Sequence, residues 1–263
     1  MMSILESTDV DPETDDAAAS GSPGVRSVEV GLSLLPLMLA AEAPMSLTAL
    51  AQASGMAPPK VHRYMASLVR SGLVARDPAS GGYDLGPMAV SIGLSALGRL
   101  DPESLGRDAI RTLAQRLDET ALLAVFANRG ATVVAVEAAT HSVFMAVRVG
   151  SVLSATRSAT GRAFLAFHDD PAVRLAAEKE IGRDDLASLI GDIRAAGIAW
   201  TRDELLEGIS AVAAPVFDHD GRVIQVLTVL GSSPSFDVSP YGPAARAARA
   251  EAEAISRSLG FYR

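Results

Sequence analysis

One turn of the sequence is suited to binding an anion. Ser158-Ala159-Thr160-Gly161 stands directly before a helical run, Arg162 to Ala166, so the unpaired backbone N–H groups of a helix N-terminus would converge there. Hydroxyl groups of Thr156, Ser158 and Thr160 add further donors. A carboxylate is the ligand that such a turn would hold. Serine and threonine are also routine caps of helix starts, so a purely structural role is the alternative.

A second set of polar residues lies on one face of a predicted helix that starts at Pro58. Its apolar stripe, which would face a core, consists of Val61, Met65, Leu68 and Val69. The residues left largely outside this stripe are Lys60, His62, Arg63, Ser67 and Arg70. A helix fits the major groove of DNA, where Arg and Lys reach guanine edges or phosphates. The alternative is an ordinary amphipathic helix with a solvated basic face.

The elements around this helix predict a winged helix-turn-helix. Ser46 can cap a preceding helix, Gly55 can end it in a left-handed turn, and Pro58 suits the first position of the next helix. Alternating strands then follow at Leu73 to Arg76 and Tyr83 to Leu85, joined by turn-forming residues. The basic helix would therefore be the recognition helix.

These segments carry a family resemblance. The order SLTALAQASG, VHRYMASLVRSGLVARD, GGYDLG resembles the DNA-binding domain of the IclR family of bacterial transcriptional regulators. The C-terminal half resembles the family's effector-binding domain, a GAF-like α+β fold, at GSVLSATRSATGRAFLA, at GIAWTRDELLEGISAVAAPVFDHDGRV and at AISRSLG. The resemblance covers about residues 25 to 260. The sequence departs from the family pattern at Pro58-Pro59-Lys60, where the family usually has Lys-Ser/Thr-Thr. The hydroxyl groups that would contact DNA phosphates are therefore missing, and Lys60 is expected to contact the phosphates in their place.

Residue types and the resemblance together define two candidate sets. The DNA-contacting set is Ser46, Thr48, Pro58, Pro59, Lys60, His62, Arg63, Ser67, Arg76 and Gly82. The effector-binding set is Met145, Thr156, Ser158, Ala159, Thr160, Gly161, Asp203, Thr228 and Leu230. Leu230 beside Thr228 favours an aromatic or branched acid over a two- or three-carbon acid. Replacing Gly161 with valine is expected to block the ligand and to leave the fold intact.

Domain organisation follows from shifts in composition. Residues 1 to 24 hold six acids and no Lys or Arg, which predicts a disordered acidic tail; contact with a partner such as RNA polymerase is an alternative role for it. Residues 25 to 86 would form the winged helix-turn-helix, 87 to 102 a linker helix, and 103 to 263 the effector-binding domain. Val28, Leu32, Leu35 and Leu39 predict a helix under the first domain, kinked or shortened by Pro36.

The C-terminal half alternates helices and strands. Helices are predicted at 104 to 117, 172 to 179, 184 to 196 and 243 to 259. Strands are predicted at 122 to 127, 132 to 138 and 144 to 149, with hairpin turns at Asn128-Arg129-Gly130 and Asp218-His219-Asp220-Gly221. Antiparallel strands with helices outside them make an α+β sheet domain.

Composition limits the remaining function classes. The 263 residues include no cysteine, which excludes disulfides and thiolate metal sites and is consistent with a reducing cytoplasm. With neither a signal-like N-terminus nor a long apolar run, a soluble cytoplasmic protein without membrane contact is expected. His141, His168 and His219 are scattered and no catalytic motif is present, so no catalytic residue, cofactor or metal is predicted. A hydrolase-like enzyme with an accessory helical domain is the alternative.

The net charge of −8 does not exclude nucleic acid, because the acidic tail supplies most of it. The expected partners are a palindromic double-stranded operator and a small organic acid. A single helix-turn-helix reads one half-site, so a homodimer or a dimer of dimers is expected.

Overall fold

The computed structural model describes residues 24–127, 130–139 and 147–262. The chain divides into two compact units, residues 1–98 and 99–263. The acidic tail falls almost wholly outside the described residues, and so do Met145, His141 and the first two residues of the Asn128-Arg129-Gly130 turn.

The N-terminal unit contains five helices and one small hairpin among its described residues. In order they are α1 (Arg26–Leu32), α2 (Leu35–Leu39), α3 (Leu47–Ser54), α4 (Pro58–Arg70), β1 (Val74–Arg76), β2 (Tyr83–Leu85) and α5 (Pro87–Leu97). The strands β1 and β2 pair antiparallel, from Val74 opposite Leu85 to Arg76 opposite Tyr83. This is the predicted winged helix-turn-helix order.

Local signals set the ends of α3 and α4 as predicted. The Ser46 side chain accepts a hydrogen bond from the Ala49 backbone N–H at 3.1 Å. Gly55 ends α3 with a φ of +66°, a conformation that glycine adopts without steric cost. Pro58 occupies the first turn of α4, where a missing N–H costs little.

The helix before α3 is divided in two, and its buried face differs from the predicted one. A proline N–H is missing at Pro36, so a continuous helix would lose a hydrogen bond there, and α1 ends at Leu32. The break rotates the chain. The buried residues are Gly31, Leu34 and Met38, whereas Val28, Leu32 and Leu39 of the predicted stripe are exposed.

Helix α5 is apolar and has no buried residue within the described chain. Its first turn is joined to the end of α4 by a hydrogen bond, in which the Met88 N–H donates to the Gly72 carbonyl at 3.1 Å. Its exposed apolar side chains are Met88, Val90, Ile92 and Leu94.

The described residues of the C-terminal unit form a six-stranded antiparallel sheet between helical layers. Its elements are α6 (Pro102–Leu117), β3 (Thr120–Ala127), β4 (Gly130–Glu137), β5 (Val152–Leu153), α7 (Ala159–Phe167), α8 (Pro171–Ile181), α9 (Arg183–Ala196), β6 (Ala199–Arg202), β7 (Ile209–Phe217), β8 (Val223–Ser232) and α10 (Pro243–Ser258). The strand order is β5-β4-β3-β8-β7-β6.

Alternation along the strands divides the core into two layers. In β3, Ala121 and Leu123 pack with α6 and α10, whereas Leu122 and Ala124 pack with α7 and α9 on the opposite face. The β3–β8 ladder places Leu122 opposite Thr228 and Thr120 opposite Leu230. The centre of the sheet therefore presents Leu122, Thr228 and Leu230 towards α7.

Two strand predictions needed correction. Residues 147 to 149, the described part of the predicted third strand, are not a strand. The next strand among the described residues is β5, where Leu153 pairs with Ala131 and Val152 with Thr132. Strand β6 was not predicted, because its four residues lie inside a segment without a clear alternation of apolar and polar residues.

Candidate functional site

A cavity of about 610 Å³ lies within the C-terminal unit, between α7, the sheet and the loop 203–208. This volume is in the range of small-molecule sites. Its apolar lining is Leu122, Ala139, Val147, Leu153, Leu205, Leu206, Ile209, Ala211 and Leu230. Its hydroxyl-bearing lining is Thr120, Ser158, Thr160, Thr201, Thr228, Ser232 and Ser235.

The N-terminus of α7 opens into this cavity through Ala159 and Thr160. The Ser158 hydroxyl caps the helix: it accepts from the Gly161 N–H at 2.9 Å and donates to the Ser154 carbonyl at 2.6 Å. Among the described residues, no acceptor is paired with the backbone N–H of Ala159 or Thr160. Both N–H groups therefore lack an acceptor in the described part of the chain and lie at the positive end of the helix dipole.

Thr160 and Thr228 form the polar floor of the cavity. Their hydroxyl oxygens are 2.8 Å apart, and each residue is only 2% exposed. The sequence placed both residues in the effector set, and together with Ser158, Ala159 and Leu230 they line the cavity.

The structure gives Gly161 a different role from the predicted one. A Cβ there would collide with the Ser154 carbonyl oxygen and lie 2.7 Å from the Ala155 Cα. The glycine therefore permits close packing of α7 against the chain before it. The expectation that Gly161→Val leaves the fold intact is wrong, because valine would displace backbone rather than a ligand.

Thr156 and Asp203 lie outside the cavity wall formed by the described residues, although both were predicted to be in the site. Thr156 is buried, and its hydroxyl is 3.3 Å from the Ser154 hydroxyl. Asp203 has a φ of +57°, and its carboxylate accepts from the Gly208 N–H at 2.8 Å and from the Ser233 hydroxyl at 2.6 Å. Asp203 thus holds the loop whose residues 205 to 208 line the cavity.

Two arginines hold the same loop from α7 and the turn before it. Arg157 donates to the Glu204 carbonyl at 2.6 Å, and Arg162 forms an ion pair with the Glu204 carboxylate. Arg162 also donates to the Trp200 carbonyl at 3.0 Å. Their cationic groups therefore bind protein partners and not the cavity.

The structure adds three acids that sequence reasoning missed. Asp118, Glu119 and Glu207 line the cavity, and no Lys or Arg belongs to its described lining. Burial, and to a lesser degree the nearby Asp118 charge, raises the pKa of Glu119. Asp118 and Glu119 lie between α6 and β3, where no local motif marks them as functional.

A second cavity, of about 540 Å³, lies at the other end of α7 and contains three arginines. Arg194 donates to the Ala166 carbonyl at 2.7 Å, and Arg249 donates to the Ala196 carbonyl at 2.8 Å. These two side chains cap the C-termini of α7 and α9. Arg257 is exposed and lies 3.8 Å from Glu253. The first cavity is therefore the better ligand site.

The N-terminal unit presents the predicted basic face of α4. Val61 and Met65 are fully buried, whereas the predicted contact residues Pro58, Pro59, Lys60, His62, Arg63 and Ser67 are exposed. Within the described chain no ion pair holds Lys60 or Arg63. The prolines lack N–H groups and the Lys60 N–H donates to the Ala57 carbonyl at 2.9 Å, so backbone donors at the helix start are not available to phosphate.

The other predicted DNA-contacting residues have structural partners or lie on α3. Arg76 donates to the Tyr83 hydroxyl at 2.8 Å and stacks over its ring at 4.6 Å. Gly82 is buried, and a Cβ there would lie 3.1 Å from the Pro44 Cβ. Ser46 caps α3 while remaining exposed, and Thr48 is exposed on its first turn.

A winged helix-turn-helix joined to an α+β domain with a ligand-sized cavity defines the class of ligand-responsive transcriptional regulators. Two family models match the chain: "IclR helix-turn-helix domain" at residues 27–78 and "Bacterial transcriptional regulator IclR C-terminal" at residues 95–257. The chain belongs to the IclR family of transcriptional regulators, and its C-terminal domain is the ligand-binding one.

Several proteins are similar to this chain in sequence or in structure. The crystal structure of HmgR from Pseudomonas aeruginosa matches this structure with a TM-score of 0.79. The match covers 90% of this chain and 99% of the HmgR chain, and the two sequences are 39% identical. The regulator BhcR from Paracoccus denitrificans is 31% identical over 81% of this chain and 80% of its own. The glycerol operon regulatory protein of Streptomyces griseus is 31% identical over 90% of this chain and 97% of its own.

These relatives and both families are transcriptional regulators and not enzymes, so the hydrolase alternative is rejected. Within the described part of the chain, no helix is long and apolar enough to cross a membrane.

Proposed function

We propose that this regulator binds a palindromic operator as a homodimer or dimer of dimers, and that a small organic acid in the large cavity changes its operator affinity. The observation that carries the effector assignment is the α7 N-terminus, whose residues Ala159 and Thr160 line the cavity beside apolar side chains such as Leu122 and Leu230. An aromatic or branched acid suits these walls, because its carboxylate meets the amides and its body meets the leucines.

The DNA contact is proposed for the exposed face of α4. Arg63 lies one turn into the helix and is the candidate base reader, since its guanidinium can form two hydrogen bonds with guanine. Lys60 is the candidate phosphate contact, because the prolines before it offer no backbone donor. Arg76 would act through the wing that it stabilises, and the protein would meet this DNA in the cytoplasm.

Dimerisation is proposed through α5. A helix that is apolar on all sides is normally buried, and Leu94 in α5 is 65% exposed in the single chain. A second copy of the chain would cover this helix and would supply the second recognition helix that a palindrome requires.

The test combines ligand binding with operator binding. Thermal shift with benzoate, phenylacetate, a branched aliphatic acid, acetate and glycerol would identify the ligand class. Fluorescence anisotropy with a palindromic duplex selected by the protein would measure coupling. Aromatic or branched acids should raise the Tm and change operator affinity at least about fivefold.

Two results would contradict the proposal. Stabilisation by glycerol and by none of the acids would replace the organic acid with a polyol. If light scattering shows that the protein remains monomeric at micromolar concentration, it does not bind the operator as a preformed dimer, and the proposal is wrong.

A further inference from the structure

The exposed face of α4 carries a stripe of cations. Lys60, Arg63 and Arg70 are exposed and stand at positions i, i+3 and i+10 of the helix, so they lie on one face. Among the described residues, no acid pairs with any of them, and the contact of Arg70 is with the neutral Ser67 hydroxyl at 3.3 Å. Helix α4 itself contains no acid. This cationic stripe is therefore open to an anionic partner.

The N-terminal segment of the chain carries the opposite charge. Residues 1 to 24 contain no Lys or Arg, and all their acids fall within residues 6 to 16, the acidic block. These acids are Glu6, Asp9, Asp11, Glu13, Asp15 and Asp16. Residues 17 to 24, Ala-Ala-Ala-Ser-Gly-Ser-Pro-Gly, are small and uncharged. They form a neutral spacer between the acidic block and α1.

The spacer is long enough to bring the acidic block to α4. Helix α1 packs on α4, since a Cβ at Gly31 would lie 3.2 Å from a ring carbon of Tyr64. With a rise of about 1.5 Å per residue and about 8–10 Å between packed helix axes, the path from Arg26 through Gly31 and Tyr64 to Lys60 is at most about 24 Å. Eight residues can extend to about 26–29 Å. The acids therefore reach the cationic stripe from their own N-terminal unit.

Attachment to the same chain favours this contact. A single exposed ion pair contributes little in water, because solvent and salt screen it. A short tether, however, gives the acidic block an effective concentration in about the millimolar range. Several weak pairs can then form at once between the acids and the stripe, and their sum is largest at low salt.

We propose that the acidic block docks on the cationic stripe of α4 and competes with DNA for it. The block lowers the affinity of the regulator for DNA, and DNA displaces the block when it binds. This inference rests on the proposed DNA contact of α4. It differs from simple repulsion between the acids and DNA, which requires no contact between the block and α4.

The lysine content of the chain permits a direct test of the contact. The sequence has two lysines, Lys60 on α4 and Lys179 on α8, and both are exposed. A carbodiimide joins carboxylates to lysine amines without a spacer, and mass spectrometry of the peptides identifies the joined residues. In the full-length protein at low salt, the acidic block should be linked to Lys60 and not to Lys179. Excess palindromic duplex and high salt should each abolish the Lys60 link.

A matched set of variants tests the competition. Replacing the six acids with Asn and Gln should tighten DNA binding about threefold at low salt and have little effect at about 300 mM salt, where exposed pairs are screened. Arg70→Gln, which removes one cation of the stripe, should reduce this gain. Repulsion alone predicts the same gain with and without Arg70. A peptide of residues 1 to 16 should inhibit DNA binding by the neutralised protein, whereas the peptide with amides in place of its acids should not.

Three outcomes would overturn the inference. Equal linking of the acidic block to Lys60 and Lys179, together with a gain that Arg70→Gln leaves unchanged, would show repulsion without docking. Unchanged DNA affinity in the neutralised protein, with regulation lost, would assign the block to a protein partner such as RNA polymerase. A Lys60 link that persists in excess duplex would refute competition, and with it the proposed DNA contact of α4. A Lys60 link in a protein that binds no duplex would instead keep the docking and refute the proposed function.

Discussion

Replacing Ala159 with proline should remove one backbone donor from the effector cavity without breaking α7. Ala159 is the first residue of the helix, a position that proline favours. The preceding residue, Ser158, has φ −112° and ψ 143°, which is the extended conformation required before proline. Since the Ala159 N–H has no acceptor among the described residues, its removal breaks no hydrogen bond of the described fold.

The expected loss of ligand affinity follows from one hydrogen bond to a charged group. Such a bond contributes about 1.5–3 kcal/mol, so Ala159→Pro should weaken binding of a carboxylate about 10- to 100-fold. The proline ring also occupies space beside the lost N–H, which makes this a lower bound. The unliganded protein should keep its stability within about 1 kcal/mol, because proline at a compatible position also restricts the unfolded chain.

Calorimetric titration with benzoate, together with the Tm of the unliganded protein, would measure both quantities. Ala159→Gly is the matched control, because it removes the methyl group and retains the N–H. Unchanged affinity in Ala159→Pro would refute the amide contact. A large fall in the unliganded Tm would show instead that this N–H has a structural acceptor.

Four further predictions concern other parts of the molecule. Arg63→Ala should cost about 1–3 kcal/mol of operator binding and relax base preference at one position, whereas Lys60→Ala should weaken binding to all sequences and lower the salt dependence, as gel-shift titrations at several salt concentrations would show. Gly161→Val should lower the free energy of unfolding, measured in urea, by at least about 2 kcal/mol. If Gly161 only made room for the ligand, the substitution would leave this free energy unchanged. Because the pKa of Glu119 is raised on folding, its charged form destabilises the protein above that pKa; Glu119→Gln should raise the Tm at pH 8, and the difference should vanish as the pH falls towards the ordinary value of 4.5. Deleting residues 1 to 20 should keep the thermal transition and slightly tighten non-specific DNA binding at low salt, while lost regulation with intact DNA binding would indicate a partner such as RNA polymerase.

The sequence alone determined those features that depend on neighbouring residues. The ends of α3 and α4 follow from Ser46, Gly55 and Pro58, because caps and left-handed turns act within about four residues. The Asp218-to-Gly221 turn likewise joined β7 to β8, and Ser158 capped α7. The family resemblance was confirmed because it rests on several such segments in a set order.

Tertiary structure decided which surfaces those elements bury. The break before Pro36 was foreseeable, but the change of the buried face to Leu34 and Met38 depends on what the two short helices pack against. The sequence placed Gly161 in the effector-binding set because of its residue type and its position before the helix. In the structure, Gly161 instead permits α7 to pack closely against Ser154 and Ala155. Glu119 reaches the cavity only because β3 pairs with β8, a contact between residues more than a hundred positions apart. No local pattern encodes such proximity, so the acids that line the cavity, Asp118, Glu119 and Glu207, were identified only from the folded sheet.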